Sequence, residues 1–211
     1  MKIEDLFKQY AKRKQGIRAR LREFRSILDA GEEDVFAELC FCICTPQSNA
    51  VLADRAISRL KKSGRLYDGT FDEMRPGMSG VRFPNNKTRF LLEARQLFIE
   101  DGKIGIKKHI NARDVFSTRQ WFYEHVKGLG LKESSHFLRN IGLGSSLAIL
   151  DVHILRRMVA FNVIKEVPKT LSVKTYFDLE KKLAHFCSSI GIPMDELDLL
   201  FWSDATGFIF K

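Results

Sequence analysis

The sequence has no apolar run approaching the roughly 20 residues that a helix needs to cross a bilayer, so a membrane-spanning role is excluded at this level. Its first residues, Met1 to Lys14, are charged and lack the apolar core of a secretion signal, which makes a cytoplasmic protein the expectation. Cysteine is scarce. Of the four, Cys40, Cys42 and Cys44 lie in one apolar stretch and Cys187 stands far away, a distribution that excludes a disulfide framework. On a helix Cys42 faces away from the other two and no nearby histidine completes a ligand set, so buried reduced thiols are expected. His109, His125, His136, His153 and His185 show no zinc spacing, and no metal and no cofactor is expected. Internal repeats, low-complexity tracts and the alternation of a strand hairpin are missing too. Acid is in deficit: 35 Lys and Arg against 26 Asp and Glu leave a net charge of +9, which attracts polyanions and makes nucleic acid the leading partner.

What remains is a chain of 211 residues, 45% hydrophobic, with ample material for a buried core. Its apolar residues recur at helical spacing. Leu6, Phe7, Tyr10, Ile17, Leu21, Phe24 and Leu28 mark one face of a basic helix that could break near Gly16 and ends at Gly31. Asp34 is placed to cap the next helix, which carries Val35 to Cys44 inward. Pro46 and Ser48 are placed to start a helix that stops at Gly64. Thr70-Phe71-Asp72-Glu73 has capping-box spacing, and a loop with Pro76, Gly77, Gly80 and Pro84 follows. Further helices are expected around Phe90 to Phe98, Val115 to Val126, Lys132 to Asn140, from Asp151 through Phe161, from Tyr176 to Phe186, and from Met194 to Trp202. Short β pieces are allowed near Val163 to Val167 and Phe208 to Phe210. The fold class is all-α.

Chemistry concentrates at one turn. Phe122 and Val126 lead into Gly128-Leu129-Gly130, and a short helix with Ser134, Phe137 and Leu138 follows. Glycines let such a turn present backbone N–H groups outward, and the next helix adds its own unpaired amides, which together grip phosphate without reading bases. Gly-x-Gly alone would more often be an ordinary helix corner. Lys132 shifts that balance, because a lysine at a helix N-terminus opposes the macrodipole by about 0.3–1 kcal/mol, and locally disfavoured residues often serve function. Downstream, Ile149-Leu150-Asp151-Val152-His153 supplies a carboxylate at a natural helix start. An amine that attacks a sugar carbon and a carboxylate that stabilises positive charge on that sugar form a plausible catalytic pair.

Gly128-Leu129-Gly130-Leu131-Lys132 followed by Asp151 in Leu-Asp-Val-His resembles the helix-hairpin-helix, Gly/Pro-rich, Asp superfamily of DNA glycosylases, whose bifunctional members carry the lysine. Val81-Arg82-Phe83-Pro84-Asn85-Asn86-Lys87 and the terminal Lys211 make the chain most similar to the archaeal-type (type 2) 8-oxoguanine DNA glycosylase/AP lyases. The resemblance spans nearly the whole chain. It departs in having no proline between Gly142 and Asp151, and no C-terminal four-cysteine cluster is present, which disfavours the iron–sulfur branch.

The resemblance implies that Lys132 attacks C1′ of the damaged nucleotide, expels 8-oxoguanine and leaves a Schiff base from which β-elimination nicks the strand, with Asp151 as catalytic carboxylate. It implies that Lys211 helps to tell 8-oxoguanine from guanine, and Phe208, Ile209 and Phe210 argue for a buried tail. A base must leave the stack to be cut, so Phe83, Phe201 and Trp202 are candidates for the lesion pocket, Gln47 is the candidate void filler, and Gly128, Gly130 and His153 are candidates for phosphate contact. The partner is double-stranded DNA containing oxidised guanine, met by a monomer. The superfamily implies two lobes, 1–36 with 151–211 and 37–150, the hairpin occupying about 115–142, with the active site in the cleft between them. The competing readings are an oxidised-pyrimidine glycosylase/lyase of the same superfamily and a non-catalytic hairpin module that grips DNA.

Overall fold

The structure is a computed structural model and describes residues 2–211. Eleven α-helices, two short 3-10 helices and a two-stranded hairpin make up its regular structure among the described residues, in line with the all-α expectation. The chain divides into two compact units, one of residues 1–26 with 138–211 and one of residues 27–137.

Helix α1 runs unbroken over Ile3–Asp29. Gly16 does not interrupt it; a Cβ there would stand 3.0 Å from the Ile209 side chain, so the glycine provides room for the C-terminal segment. Leu6, Tyr10, Ile17, Leu21 and Phe24 are its buried stripe. Helix α2, Glu32–Cys44, starts from Gly31 rather than being capped by Asp34, whose carboxylate pairs with Lys61 instead. Ten consecutive residues of α2, Val35 to Cys44, are buried, the signature of a helix surrounded on all sides. All four cysteines are free and buried, and burial pushes the Cys44 thiol up to about 12.

Helix α3, Ala50–Lys62, is capped by Asn49, whose side chain accepts from the Val51 and Leu52 amides at 2.9 and 3.2 Å. The expected start at Ser48 is therefore one residue early, because Ser48 is committed to other partners. Two single-turn helices follow, α4 (Arg65–Asp68) and α5 (Phe71–Met74), and Glu73 accepts from the Thr70 amide at 2.8 Å as its spacing requires. Helix α6, Pro84–Phe98, begins at its proline, earlier than Phe90, since proline suits the first turn. Strands β1 (Ile99–Glu100) and β2 (Lys103–Ile104) form a hairpin that the sequence reading missed. Asp101 and Gly102 both have positive φ, 48° and 76°, which is the geometry of a tight two-residue hairpin turn.

Helix α7, Val115–His125, is capped by Asp114, which accepts from the Ser117 hydroxyl at 2.6 Å and the Ser117 amide at 3.0 Å; these hydrogen bonds hold its carboxyl below the usual aspartate range. Helix α8 spans Leu131–Asn140, α9 Val152–Ala160, α10 Val173–Ile190 and α11 Met194–Thr206. Val163 to Val167 and Phe208 to Phe210 contain no strand.

In the unit of residues 27–137 a run of aromatic contacts ties α2 to the later helices. Phe36 meets Phe98 at 6.2 Å between ring centres, Phe98 meets Phe122 at 6.0 Å, and Phe122 meets Phe137 at 4.9 Å. Each such ring removes a large apolar area from water, and edge or tilted pairs add about 0.5–1.5 kcal/mol beyond that burial. The consequence is positional: α7 and α8 are anchored through Phe122 and Phe137 to the buried α2. In the other unit the buried stripe of α1 is joined by α9, α10 and α11. Tyr10 and Arg18 both bond to Glu196, the latter at 3.0 Å, and Arg13 and Arg157 both pair with Asp204.

Candidate active site

The Gly-Leu-Gly turn is built as its sequence demands. Val126 donates to the Phe122 carbonyl at 3.0 Å to close α7, and Leu129 donates to Val126 at 3.2 Å. Gly128 has φ 90°, and a Cβ on it would stand 2.6 Å from Cδ2 of Phe90 on α6. Only glycine satisfies both the positive φ and this close approach. Lys127 secures the same contact from the side, pairing with Glu93 at 3.3 Å while its amine lies over the Phe90 ring. Arg119, almost fully buried, donates to Ser135 at 3.2 Å and binds α7 to α8.

Gly128→Ala is expected to lower stability by about 1–3 kcal/mol through backbone strain and to weaken DNA binding more than that loss explains. Urea unfolding together with a binding titration checks this; unchanged affinity in folded protein would remove the turn from the DNA interface.

Lys132 is the second residue of α8, with a side chain 26% exposed. The neighbouring Glu133 folds back over the turn: one carboxylate oxygen accepts from the Gly130 amide at 3.1 Å and the other lies 3.5 Å from the Lys132 amine. Gly130 thus has an internal anionic partner at the place proposed for phosphate. The sequence reading did not single out Glu133, although its position three residues after Gly130 is that of a side chain returning to a helix start.

In the unit of residues 1–26 and 138–211, Asp151 is the N-cap of α9, with extended backbone at φ −89° and ψ 177°, and its Oδ1 accepts from the Ile154 amide at 2.8 Å. One carboxylate oxygen is thereby occupied by structure. The segment leading to it is clamped by α10: Glu180 accepts from the Ala148 amide at 2.8 Å, and the Tyr176 hydroxyl donates to the Ala148 carbonyl at 2.6 Å. This two-sided grip on one residue fixes the approach to the cap, and nothing in the local sequence around Asp151 announces it. His153, exposed in the first turn of α9, stands where helix amides are unpaired.

Trp202 on α11 is half-buried, stacked on Phe210 at 6.0 Å and met edge-on by Phe208 at 5.5 Å. Arg20 donates to the Phe210 carbonyl at 3.2 Å. The tail is therefore docked through Ile209 and Phe210, while Phe208 remains exposed and departs from the expected burial. Lys211 follows directly on this docked segment. Phe201, 1% exposed and stacked on Phe161 at 5.8 Å, is a core residue of its unit.

The two remaining candidates lie elsewhere. Gln47 and Phe83 are both exposed, Phe83 at 50%, and both are non-glycine residues in left-handed backbone at φ 55°. The Arg82 guanidinium covers one side of the Phe83 ring at 5.0 Å. An L-residue held there costs about 1–2 kcal/mol, so the surrounding structure must impose it.

Two helices packed through a glycine turn define the helix-hairpin-helix class of proteins. A family model described as 8-oxoguanine DNA glycosylase matches residues 17–192. The 8-oxoguanine DNA glycosylase/AP lyase of Fusobacterium nucleatum is 44% identical over 211 residues, covering 99% of this chain and 96% of that one. Among solved structures, the Thermotoga maritima 8-oxoguanine DNA glycosylase superposes with a TM-score of 0.87 at 32% identity, covering 99% of this chain and 97% of that one. The Methanocaldococcus jannaschii 8-oxoguanine glycosylase/lyase, solved with a 15mer DNA containing 8-oxoguanine, gives 0.84 at 30% identity and covers 98% of this chain and 99% of that one. The chain belongs to the 8-oxoguanine DNA glycosylase family.

Proposed function

We propose that this chain excises 8-oxoguanine from double-stranded DNA and then nicks the strand at the resulting abasic site, acting as a monomer in the cytoplasm. The observation that carries this reading is a lysine at the second position of α8, directly behind a glycine turn shaped for phosphate, in a chain of this family. The Lys132 lone pair forms a bond to C1′ while the C1′–N9 bond breaks, and its electrons leave with the base, which gains a proton. Ring opening gives a Schiff base. Loss of a C2′ proton then breaks the C3′–O3′ bond, the 3′ phosphate departs, and water releases the enzyme.

Asp151 stabilises the positive charge that builds on the sugar, using the carboxylate oxygen that the Ile154 amide leaves available. Gly128 and His153 hold phosphates, Gly130 does so once phosphate displaces Glu133 from its amide, and the +9 charge draws the duplex in with an affinity that falls steeply as salt rises. Trp202 offers a face to the extruded base. Lys211 senses the lesion, since 8-oxoguanine differs from guanine by an N7–H that needs an acceptor, and the Lys211 backbone carbonyl oxygen can supply one.

A panel of duplexes tests the reading. Nicking at 8-oxoguanine well above that at oxidised pyrimidines or undamaged guanine supports it; a preference for pyrimidine lesions would reassign the substrate, and binding without any nicking would make the protein a DNA-gripping module. Deletion of Lys211 is expected to reduce the preference for 8-oxoguanine over guanine by about tenfold or more, the order of one buried donor left without its acceptor. Competitive excision assays read this directly, and unchanged discrimination would reject the role.

A further inference from the structure

Lys87 is 5% exposed, yet among the described residues its amine pairs with no carboxylate. It donates to the Cys44 carbonyl at 2.6 Å, the Pro46 carbonyl at 2.7 Å and the Ser48 hydroxyl at 2.9 Å. Three acceptors match the three donors of an ammonium. Burial pushes its pKa below the ordinary lysine range, Cys44 and Glu133 oppose that shift, and Lys132 adds to it. Ser48 extends the network, because its hydroxyl also accepts from the Arg82 amide at 3.0 Å. Lys87 itself lies in the first turn of α6, where its own amide donates to the Phe83 carbonyl at 3.1 Å.

One buried amine thus ties together two turns that are far apart in sequence. Each turn carries at its tip an exposed non-glycine residue in left-handed backbone, Gln47 in one and Phe83 in the other. Strain of this kind persists only where the surroundings impose it, and it collects at functional positions. Here the surroundings are the Lys87 and Ser48 hydrogen bonds. An enzyme that extrudes a base must also occupy the hole left in the stack, and a polar amide beside a flat ring suits a space lined by base edges and base faces.

We infer that Lys87, with Ser48 as its relay, is a positioning residue that presents Gln47 and Phe83 together as a two-residue wedge for the DNA stack. The inference rests on the proposed glycosylase activity. It assigns Phe83 to the duplex rather than to the lesion pocket, and it gives Lys87 a role in extrusion rather than in bond breaking.

Single-turnover excision separates these roles when 8-oxoguanine is placed either opposite cytosine or in a single-nucleotide bulge, where most of the extrusion cost is already met. Lys87→Met is expected to slow the paired substrate about tenfold or more and the bulged one by no more than about threefold, as lost positioning hydrogen bonds should. Ser48→Ala, which leaves the buried amine in place, is expected to shift the ratio in the same direction by about threefold, with recovery in Ser48→Thr. It decides the matter if Lys87→Met does not fold. Equal losses on both substrates, or no loss on either, would overturn the inference. Failure of the unaltered protein to cleave both substrates would instead overturn the proposed function.

Discussion

Lys132→Gln is expected to abolish both base release and strand nicking, by more than about a thousandfold, while leaving affinity for lesion DNA within about tenfold. Glutamine keeps the length and much of the polarity of lysine but has no nucleophilic nitrogen. The fold should tolerate it, because the Lys132 side chain is partly exposed and, among the described residues, its ion-pair partner is Glu133 at 3.5 Å, a contact of surface-like strength. Melting temperature is therefore expected to change little. A comparable collapse of binding and activity would mean that Lys132 acts as a phosphate contact rather than as the nucleophile. Residual nicking at near-normal rate would remove it from the chemistry altogether.

Asp151→Asn separates two roles held by one side chain. Asparagine caps helices about as well as aspartate, and its amide oxygen can still accept from the Ile154 amide, so stability is expected to hold. Activity should nevertheless fall by about 100-fold to 10,000-fold, the usual range for losing a charged acid–base or electrostatic group. Asp151→Ala would lose both functions: similar inactivity, with about 1 kcal/mol of cap stability gone and a melting temperature lower by about 2–4 °C. If the asparagine variant is fully active, Asp151 is a cap and nothing more.

The parts of this protein that were legible in its sequence are those in which a residue acts on its own neighbourhood. The Asp151 cap, the Thr70–Glu73 pair, the glycine turn and the apolar stripe of α1 each operate over three or four residues, and each can be read from spacing. The failures have two sources. Some were local choices between equivalent candidates: Asn49 caps α3 in place of Ser48, and Asp34 pairs with Lys61 instead of capping α2. Others depend on contacts that no spacing encodes. Gly16 looks like a helix break until Ile209 is seen to need its space, and Phe201 looks like any exposed-pocket aromatic until it is found stacked on Phe161 in the core.

The Lys87 network is the extreme case. Two of its three partners are the backbone carbonyls of Cys44 and Pro46, acceptors that almost any residue at those positions would supply. The clamp of Tyr176 and Glu180 likewise holds backbone groups, the Ala148 amide and carbonyl, that almost any residue would supply. Sequence motifs marked the reacting groups, whereas the hydrogen bonds that hold their surroundings in place became visible only in the folded chain.

The central claim is that the Lys132 amine becomes covalently joined to a deoxyribose carbon. Borohydride reduction during reaction with 8-oxoguanine duplex, followed by proteolysis and mass measurement of the adduct, tests it directly. The reduced sugar is expected on the peptide containing Lys132, with no adduct in Lys132→Gln. An adduct on any other amine, Lys87 and Lys211 included, or none at all while nicking proceeds, would contradict the account.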